Sequence, residues 1–305
     1  MIFINSLKLF KSNWLRALKF LLYYIVVWGL CFALFLPVYF AFKDMVVNNF
    51  AAADVGFFGV FSGSIGINIQ KVISVSLSSF VQAFNVNVGM AIYGLLIVFV
   101  LLPFLINIGK YALCNSLYYY MTSNNQMGFL SALVKSLRRS IAFALVKTLY
   151  NMLFVVVLGL ALYGVTRVED ATYVHYALWL ITLFVLVLFY ASEQVTILGW
   201  IPASIVFDCN VFKAYGKGVK AAARYCGHVF GSAALFFVIF WVLTMVFGAY
   251  ILAIIVPVMA CLLCVYDMTA FFTSQGMRFY ITPNKILTPK KLEEVDDINK
   301  TAYIL

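Results

Sequence analysis

The sequence LKFLLYYIVVWGLCFALFLPVYFAF, from Leu18 to Phe42, contains one charged residue, Lys19, which lies near its start. A helix that crosses the hydrocarbon core of a bilayer needs about 20 mostly apolar residues, and this stretch supplies them. Apolar and aromatic residues make up 65% of the 305-residue chain, charged residues make up 10%, and the mean hydropathy is +1.02. Soluble domains are about 45–50% apolar and about 25% charged. The composition therefore excludes a soluble globule or a disordered chain and predicts a polytopic membrane protein.

Further apolar stretches of similar length follow the first one. They are Gly89–Gly109, Ile141–Val165, Tyr173–Gly199, Val229–Gly248 and Ile251–Thr273. Only Gly248-Ala-Tyr250 separates the last two, whose combined length suits a tight helical hairpin rather than one span. The sequence predicts an all-α transmembrane bundle of about six spans in three hairpins. This bundle forms a single domain over residues 1–275, followed by a short tail at 276–305.

The positions of the 21 lysines and arginines predict the orientation of these spans. With the N-terminus in the cytoplasm, only Lys43, Lys71 and Arg167 fall outside, and Lys147 falls within a span. All the others lie in cytoplasmic segments, namely Lys8, Lys11, Arg16, Lys19, Lys110, Lys135, Arg138, Arg139, Lys213, Lys217, Lys220, Arg224, Arg278, Lys285, Lys290, Lys291 and Lys300. Short cytoplasmic loops of membrane proteins are enriched in Lys and Arg, so both termini are predicted to be cytoplasmic. The net charge of +10 then indicates the lipid bilayer as a partner and not nucleic acid.

Each odd-numbered span is preceded by a basic, amphipathic stretch, which we call its foot: Ser6–Arg16, Ala132–Arg139 and Ala214–Arg224. Basic residues at three- and four-residue spacing among apolar ones favour helices that lie in the headgroup layer. Two interpretations of the three feet stay open. They are either a structural repeat, or they only reflect the composition that is common where a chain enters a span from the cytoplasm. Trp200 and Tyr118-Tyr-Tyr120 lie near predicted interfaces, as an aromatic belt requires.

Two segments are predicted to lie outside the membrane. The long outer loop, about residues 44–88, places Ile69, Ile73, Leu77, Phe80 and Phe84 at helical spacing, which predicts an amphipathic helix. The tail begins with a turn at Ile281–Lys285, and a short solvated helix is expected from Thr288.

Sequence motifs for catalysis are absent. The chain contains no G-x-x-x-x-G-K-[ST], no H-E-x-x-H and no G-x-S-x-G. Its two histidines, His175 and His228, do not suit a histidine-rich zinc site. The six cysteines, Cys261-Leu-Leu-Cys264 among them, are interpreted as small buried hydrophobes. We therefore expect a non-enzymatic protein without a metal or cofactor.

Three charged residues are predicted to lie inside the spans, where such groups are costly and are functional candidates. At 1.5 Å per residue, Lys147 lies about 12 Å past Arg139, Glu193 about 10 Å from Trp200, and Asp267 about 15 Å from Arg278. Tyr150 and Asn151 follow Lys147 by one helical turn. Two alternatives stay open: a Lys147–Glu193 salt bridge that fixes helix packing, with Asp267 as a third member, or a site for an ion, proton or substrate.

The region from about Leu101 to Tyr280 resembles the YesL-like family of small bacterial integral membrane proteins. The resemblance rests on Pro103, Leu117-Tyr-Tyr-Tyr120 and the basic segments Phe129–Arg139 and Phe212–Arg224. It implies a bacterial plasma membrane, whereas the long outer loop departs from the compact form of that family. Because the sequence has no catalytic or energy-coupling motif and its tail is small, it favours an accessory or scaffold component of a transport or envelope system. The alternative is a stand-alone transporter or channel that uses the charged layer.

The predicted topology can be tested by cysteine labelling of intact cells with a membrane-impermeant reagent. A cysteine placed at Ser64 or Glu169 should react, whereas one placed at Ser136, Lys217 or Lys291 should not. Labelling of position 291 from outside would show that Val229–Thr273 does not form a hairpin of two spans.

Overall fold

The structure, a computed structural model, describes residues 2–52, 65–124, 127–166, 172–224, 226–247 and 252–288. They form helices α1 (Ile2–Ser12), α2 (Trp14–Ala52), α3 (Ile65–Val86), α4 (Val88–Leu95), α5 (Leu102–Ser123), α6 (Phe129–Thr166), α7 (Thr172–Ile197), α8 (Trp200–Val206), α9 (Val211–Ala223), α10 (Cys226–Phe247) and α11 (Leu252–Ser274), a π-helix (Leu96–Leu101), and strands β1 (Phe279–Thr282) and β2 (Lys285–Leu287). The chain divides into two compact units, and the divisions fall within α2, α5, α6 and α7. Unit 1 comprises Met1–Ile25, Ile106–Val146 and Leu188–Leu305, and unit 2 comprises Val26–Leu105 and Lys147–Val187.

Helices occupy all six of the predicted spans, which confirms the all-α class. In the described residues, four helical stretches are long and apolar enough to cross a membrane: Trp14–Asn49, Val88–Ser123, Phe129–Val157 and Ile255–Ser274. The predicted spans Tyr173–Gly199 and Val229–Gly248 coincide with α7 and α10. That these two helices also cross the bilayer stays a prediction, and the single domain over 1–275 is likewise untested. The residues that join α10 to α11 lie outside the described part of the chain.

The second predicted span contains a local irregularity. Between α4 and α5 the chain forms six residues of π-helix, and the amide of Leu102 donates to the carbonyl of Ile97, five residues back. Pro103 follows immediately and has no amide hydrogen to donate. The wider turn therefore accommodates the proline within a continuous helical run.

The three feet adopt two different forms. The first is α1, separated from α2 at Asn13, and the third is α9, separate from α10. The second, Ala132–Arg139, has no break and continues directly into the span as part of α6. A helix separate from the following span is therefore present at the first and third feet, and its location in the headgroup layer stays a prediction.

The core of unit 1 is built around α5 and α11. Nearly every residue of α5 from Asn107 to Met121 is buried, and α11 is buried over much of Cys261–Ser274. The hairpin of β1 and β2, which turns at the predicted Ile281–Lys285, adds Phe279 and Ile281 to this core. The hydroxyl of Ser12, at the end of α1, donates to the carbonyl of Ile281 at 2.9 Å. The beginning of the predicted tail is thus packed against α1, and the helix expected from Thr288 lies outside the described residues.

The α8–α9 pair is joined by direct backbone contact between two glycines. A Cβ atom built on Gly199 would lie 2.6 Å from both the Cα and the carbonyl oxygen of Gly218. The Trp200 side chain is buried beside this contact and donates from Nε1 to the carbonyl of Val211 at 2.9 Å. Its ring packs on Phe143 and Tyr215, at centroid distances of 5.3 and 4.9 Å. Trp200, expected in an aromatic belt, is therefore a core residue of unit 1.

Unit 2 contains part of the predicted outer loop. Residues 44–52 continue α2, and α3 confirms the helix expected in the second half of the loop. Residues 53–64 lie outside the described part. The amide of Asn49 donates to Ser79 at 2.9 Å and to Gln82 at 2.6 Å, while Phe84 packs beside Val38 and Phe42. Phe80, expected on the same apolar face, is exposed.

The glycine contact predicts a large difference between two substitutions on the same helix. Gly218→Ala places a methyl group against the backbone of Gly199, which cannot move without separating α8 from α9, so we expect a loss of about 1–3 kcal/mol. Gly216→Ala, where a Cβ meets nothing within 4 Å, should instead stabilise by about 0.5–1 kcal/mol through helix propensity. Thermal unfolding of the two variants in detergent measures this. Equal melting temperatures would show that the two helices separate freely.

Candidate functional site

Glu193 and Asp267, two of the three predicted charged residues, lie in unit 1 on α7 and α11. Both are half-buried. Both carboxylates act electrostatically on the hydroxyl of Tyr190, which lies one turn before Glu193. Both acidic residues thus lie close enough to Tyr190 to influence its hydroxyl. The sequence analysis expected Asp267 near Glu193, as a third member of the charged layer.

A small recess of about 10 Å³, roughly the space of one water molecule, lies beside these residues. Gln194 and Asp267 are its polar lining residues, and Phe236, Leu263 and Tyr266 are among its apolar ones. The Tyr266 hydroxyl is held by Ser232 Oγ at 3.1 Å and the carbonyl of His228 at 3.4 Å, both on α10. The recess therefore combines one carboxylate and one amide with a wall whose position is fixed by hydrogen bonds between α10 and α11.

The α5 side of this region contains a residue that the sequence analysis did not select. Lys110 is half-buried in α5 and acts electrostatically on Cys264 of α11, one turn before Asp267. The thiols of Cys114 and Cys264 also interact. Lys110 was assigned to the cytoplasm because it follows the predicted end of the second span. The helix continues to Ser123, however, and places Lys110 beside the buried core.

Lys147, Tyr150 and Asn151 belong to unit 2. The Lys147 side chain is 6% exposed, and its ammonium nitrogen lies 5.4 Å from the centroid of the Tyr150 ring, a cation–π distance. Tyr150 in turn packs on Phe154 at 4.8 Å. Asn151 Oδ1 is buried and accepts no hydrogen bond within the described part of the chain. Because Lys147 and Glu193 belong to different units, their salt bridge stays a prediction.

The carboxylates of Glu193 and Asp267 and the side-chain amide of Gln194 are groups that can attract a cation or a proton donor. Cys31, Cys114, Cys261 and Cys264 are free and buried, as expected. Cys209 is half-buried and Cys226 is exposed, so the interpretation of all six cysteines as buried hydrophobes is wrong for these two. In the described residues, no group of three or more His, Cys, Asp or Glu could hold a metal ion.

The hydrogen bond that closes the recess predicts a coupled pair of substitutions. Tyr266→Phe and Ser232→Ala each remove one partner of the same bond, so each should lower stability by about 1 kcal/mol. The double variant should lose little more than either single one. Thermal melts of the unmodified protein, the two single variants and the double variant give a double-mutant cycle. Strictly additive losses would mean that Tyr266 and Ser232 do not bond.

Comparison of this chain with protein-family models, with curated proteins and with solved structures finds no match in any of the three.

Proposed function

We propose that this chain is a six-span protein of the bacterial plasma membrane, with both termini in the cytoplasm. It serves as a non-enzymatic accessory or scaffold component of a transport or envelope system. The feature that carries the accessory role is a row of exposed apolar side chains at the beginning of α6, Leu130, Val134 and Leu137, which we call the α6 stripe. The resemblance to YesL-like proteins supports the bacterial membrane.

The α6 stripe lies beyond the hydrocarbon of the proposed bilayer. Arg138 and Arg139 mark the headgroup boundary, because guanidinium groups avoid hydrocarbon. At 1.5 Å per residue, Leu130 lies about 13 Å further along the helix than Arg139, on the side away from the span. The exposed fractions of Leu130, Val134 and Leu137 are 69%, 74% and 45%. In the proposed bilayer, these three exposed aliphatic side chains therefore extend past the headgroup boundary.

Two of the cations beside the α6 stripe, Lys135 and Arg139, are held by partners in other parts of unit 1. Lys135 donates to the Tyr119 hydroxyl at 2.9 Å, with its ammonium 4.8 Å from the centroid of that ring. Arg139 forms an ion pair with Asp208. Since exposed apolar surface rimmed by polar residues marks protein interaction sites, the α6 stripe supports docking of another protein, through an apolar helix or groove.

A second function, a stand-alone transporter or channel, is favoured by the recess at Gln194 and Asp267. Its acidic lining, with Glu193 and Tyr190 nearby, suits a cation or a proton. In this function Asp267→Asn abolishes flux of that cation without unfolding the protein. The two functions differ in whether the isolated chain is active.

The accessory role predicts that polar substitution of the α6 stripe releases a partner but leaves the protein folded. The double variant Leu130→Gln, Val134→Gln changes only exposed positions. Its free energy of unfolding should therefore differ from that of the unmodified protein by no more than about 0.5 kcal/mol, with little change in melting temperature. Its recovery of a cross-linked complex from native membranes should fall at least about tenfold, as expected for the loss of two apolar contacts worth about 1.4 kcal/mol together. Ser131→Gln, exposed on the same helix, is the matched control.

Two results would overturn this role. The first is an unchanged complex in the double variant, since the α6 stripe would then not be the docking surface. The second is ion or solute flux by the purified chain in liposomes that is lost in Asp267→Asn, which would establish the transporter instead.

A further inference from the structure

Helix α9 presents a basic and aromatic face to the outside of unit 1. Its residues Phe212, Lys213, Gly216, Lys217 and Lys220 are exposed, Phe212 to 70%. The opposite side, Val211, Ala214, Gly218, Ala221 and Ala222, is buried. Small side chains on that side let α9 lie directly on α8, with which it shares the Gly199–Gly218 backbone contact. The outward face is therefore held in one orientation by the rest of the unit.

Helix α9 contains no acidic residue, so no carboxylate within Val211–Ala223 neutralises the positive charge of its lysines. The nearest acid along the chain, Asp208, forms its ion pair with Arg139 of α6. The ammonium of Lys217 lies 4.2 Å from the centroid of the Phe207 ring, which fixes its position without neutralising it. Lys213, Lys217 and Lys220 thus form a row of exposed cations beside an exposed phenyl ring.

The α9 face differs in this respect from the second foot. There, Lys135 and Arg139 bond to Tyr119 and Asp208 of the same unit. For the lysines of α9, the described part of the chain shows no ion pair with a carboxylate. A phenyl ring beside lysines suits the boundary between headgroups and acyl chains, where the ring enters the apolar layer and the ammonium groups meet phosphate.

We propose that the exposed face of α9 binds the headgroups of anionic phospholipids, with Phe212 inserted at the level of the upper acyl chains. The inference rests on the proposed membrane location but not on the accessory role. Each cation near an anionic surface contributes about fivefold to binding, equivalent to about 1 kcal/mol. Three lysines together therefore favour anionic over zwitterionic lipid by on the order of a hundredfold.

The test uses Gly216, which lies on this face with open space around its Cβ position. Gly216→Cys is made in a Cys209→Ser, Cys226→Ser background, which leaves the buried cysteines Cys31, Cys114, Cys261 and Cys264 in place. The protein is placed in nanodiscs of phosphatidylcholine, with or without about one third phosphatidylglycerol. Labelling by an uncharged polyethylene-glycol maleimide should be on the order of tenfold slower with the anionic lipid, and 0.5 M salt should remove the difference by screening.

The control variants separate this face from a general effect of the lipid. Lys213→Gln, Lys217→Gln, Lys220→Gln should abolish the difference between the two lipids, whereas Lys8→Gln, Lys11→Gln on α1 should leave it unchanged. Equal labelling rates in both lipids would overturn the proposal and show that the exposed face of α9 lies in solvent. A difference that persists in the triple lysine variant would also overturn it. Because nanodiscs expose both membrane surfaces and contain no partner protein, neither an inverted topology nor a missing partner can produce these results.

Discussion

The free-energy cost of a charged side chain in hydrocarbon constrains how this chain is built. That cost is at least about 2.5–3.5 kcal/mol for Lys or Arg at the centre of a span, so the basic residues collect where the chain meets water or headgroups. Every described cation that the sequence assigns to the cytoplasm belongs to unit 1. Unit 1 also contains the amphipathic helices α1 and α9, the β-hairpin and the Arg139–Asp208 ion pair. Unit 2 contains long apolar helices with few charges. The basic residues that the sequence assigns to the cytoplasm therefore all belong to one of the two units, and the other unit is mainly apolar.

The helices could be predicted from the sequence because length and hydropathy alone define a span. The features that were not predicted depend on tertiary contacts. Helix α8 and its contact with α9 need two backbones to meet at Gly199 and Gly218, and no local pattern indicates that these glycines face each other. Trp200 and Tyr120 are aromatic residues near predicted span ends, as in an aromatic belt, but both side chains are buried in the fold. The strands β1 and β2 are short, and the ring of Phe279 packs on Phe272 of α11 at a centroid distance of 5.7 Å.

In the candidate site, too, some residues could be predicted from the local sequence, whereas others depend on tertiary contacts. The depth of Glu193 and Asp267 in their spans was sufficient to select them, because an isolated charge in an apolar run is a strong signal. Lys110 was missed because the apolar run ends just before it, and an apolar run is a poor guide to where a helix ends inside a protein core. Asn107, Tyr111 and Asn115 are buried around it in α5 although they are polar. A hydropathy profile assigns such residues to a boundary, whereas packing against α11 makes them part of the interior.

The three feet show how one sequence pattern leads to different structures and different roles. Asn13 interrupts the first foot: its side-chain amide donates to the Leu9 carbonyl and to Ser12, which competes with helical continuation. The resulting α1 then packs on α11 and β1. The second foot contains no such residue and continues as α6. Its Lys135 bonds to Tyr119 and its Arg139 to Asp208 at the surface of unit 1, while Leu130 and Val134 are exposed. In the third, small residues bring α9 onto α8 and leave its lysines outside. A repeat in composition therefore does not require a repeat in function, because the contacts available to each cation decide whether its foot exposes an apolar or a basic surface.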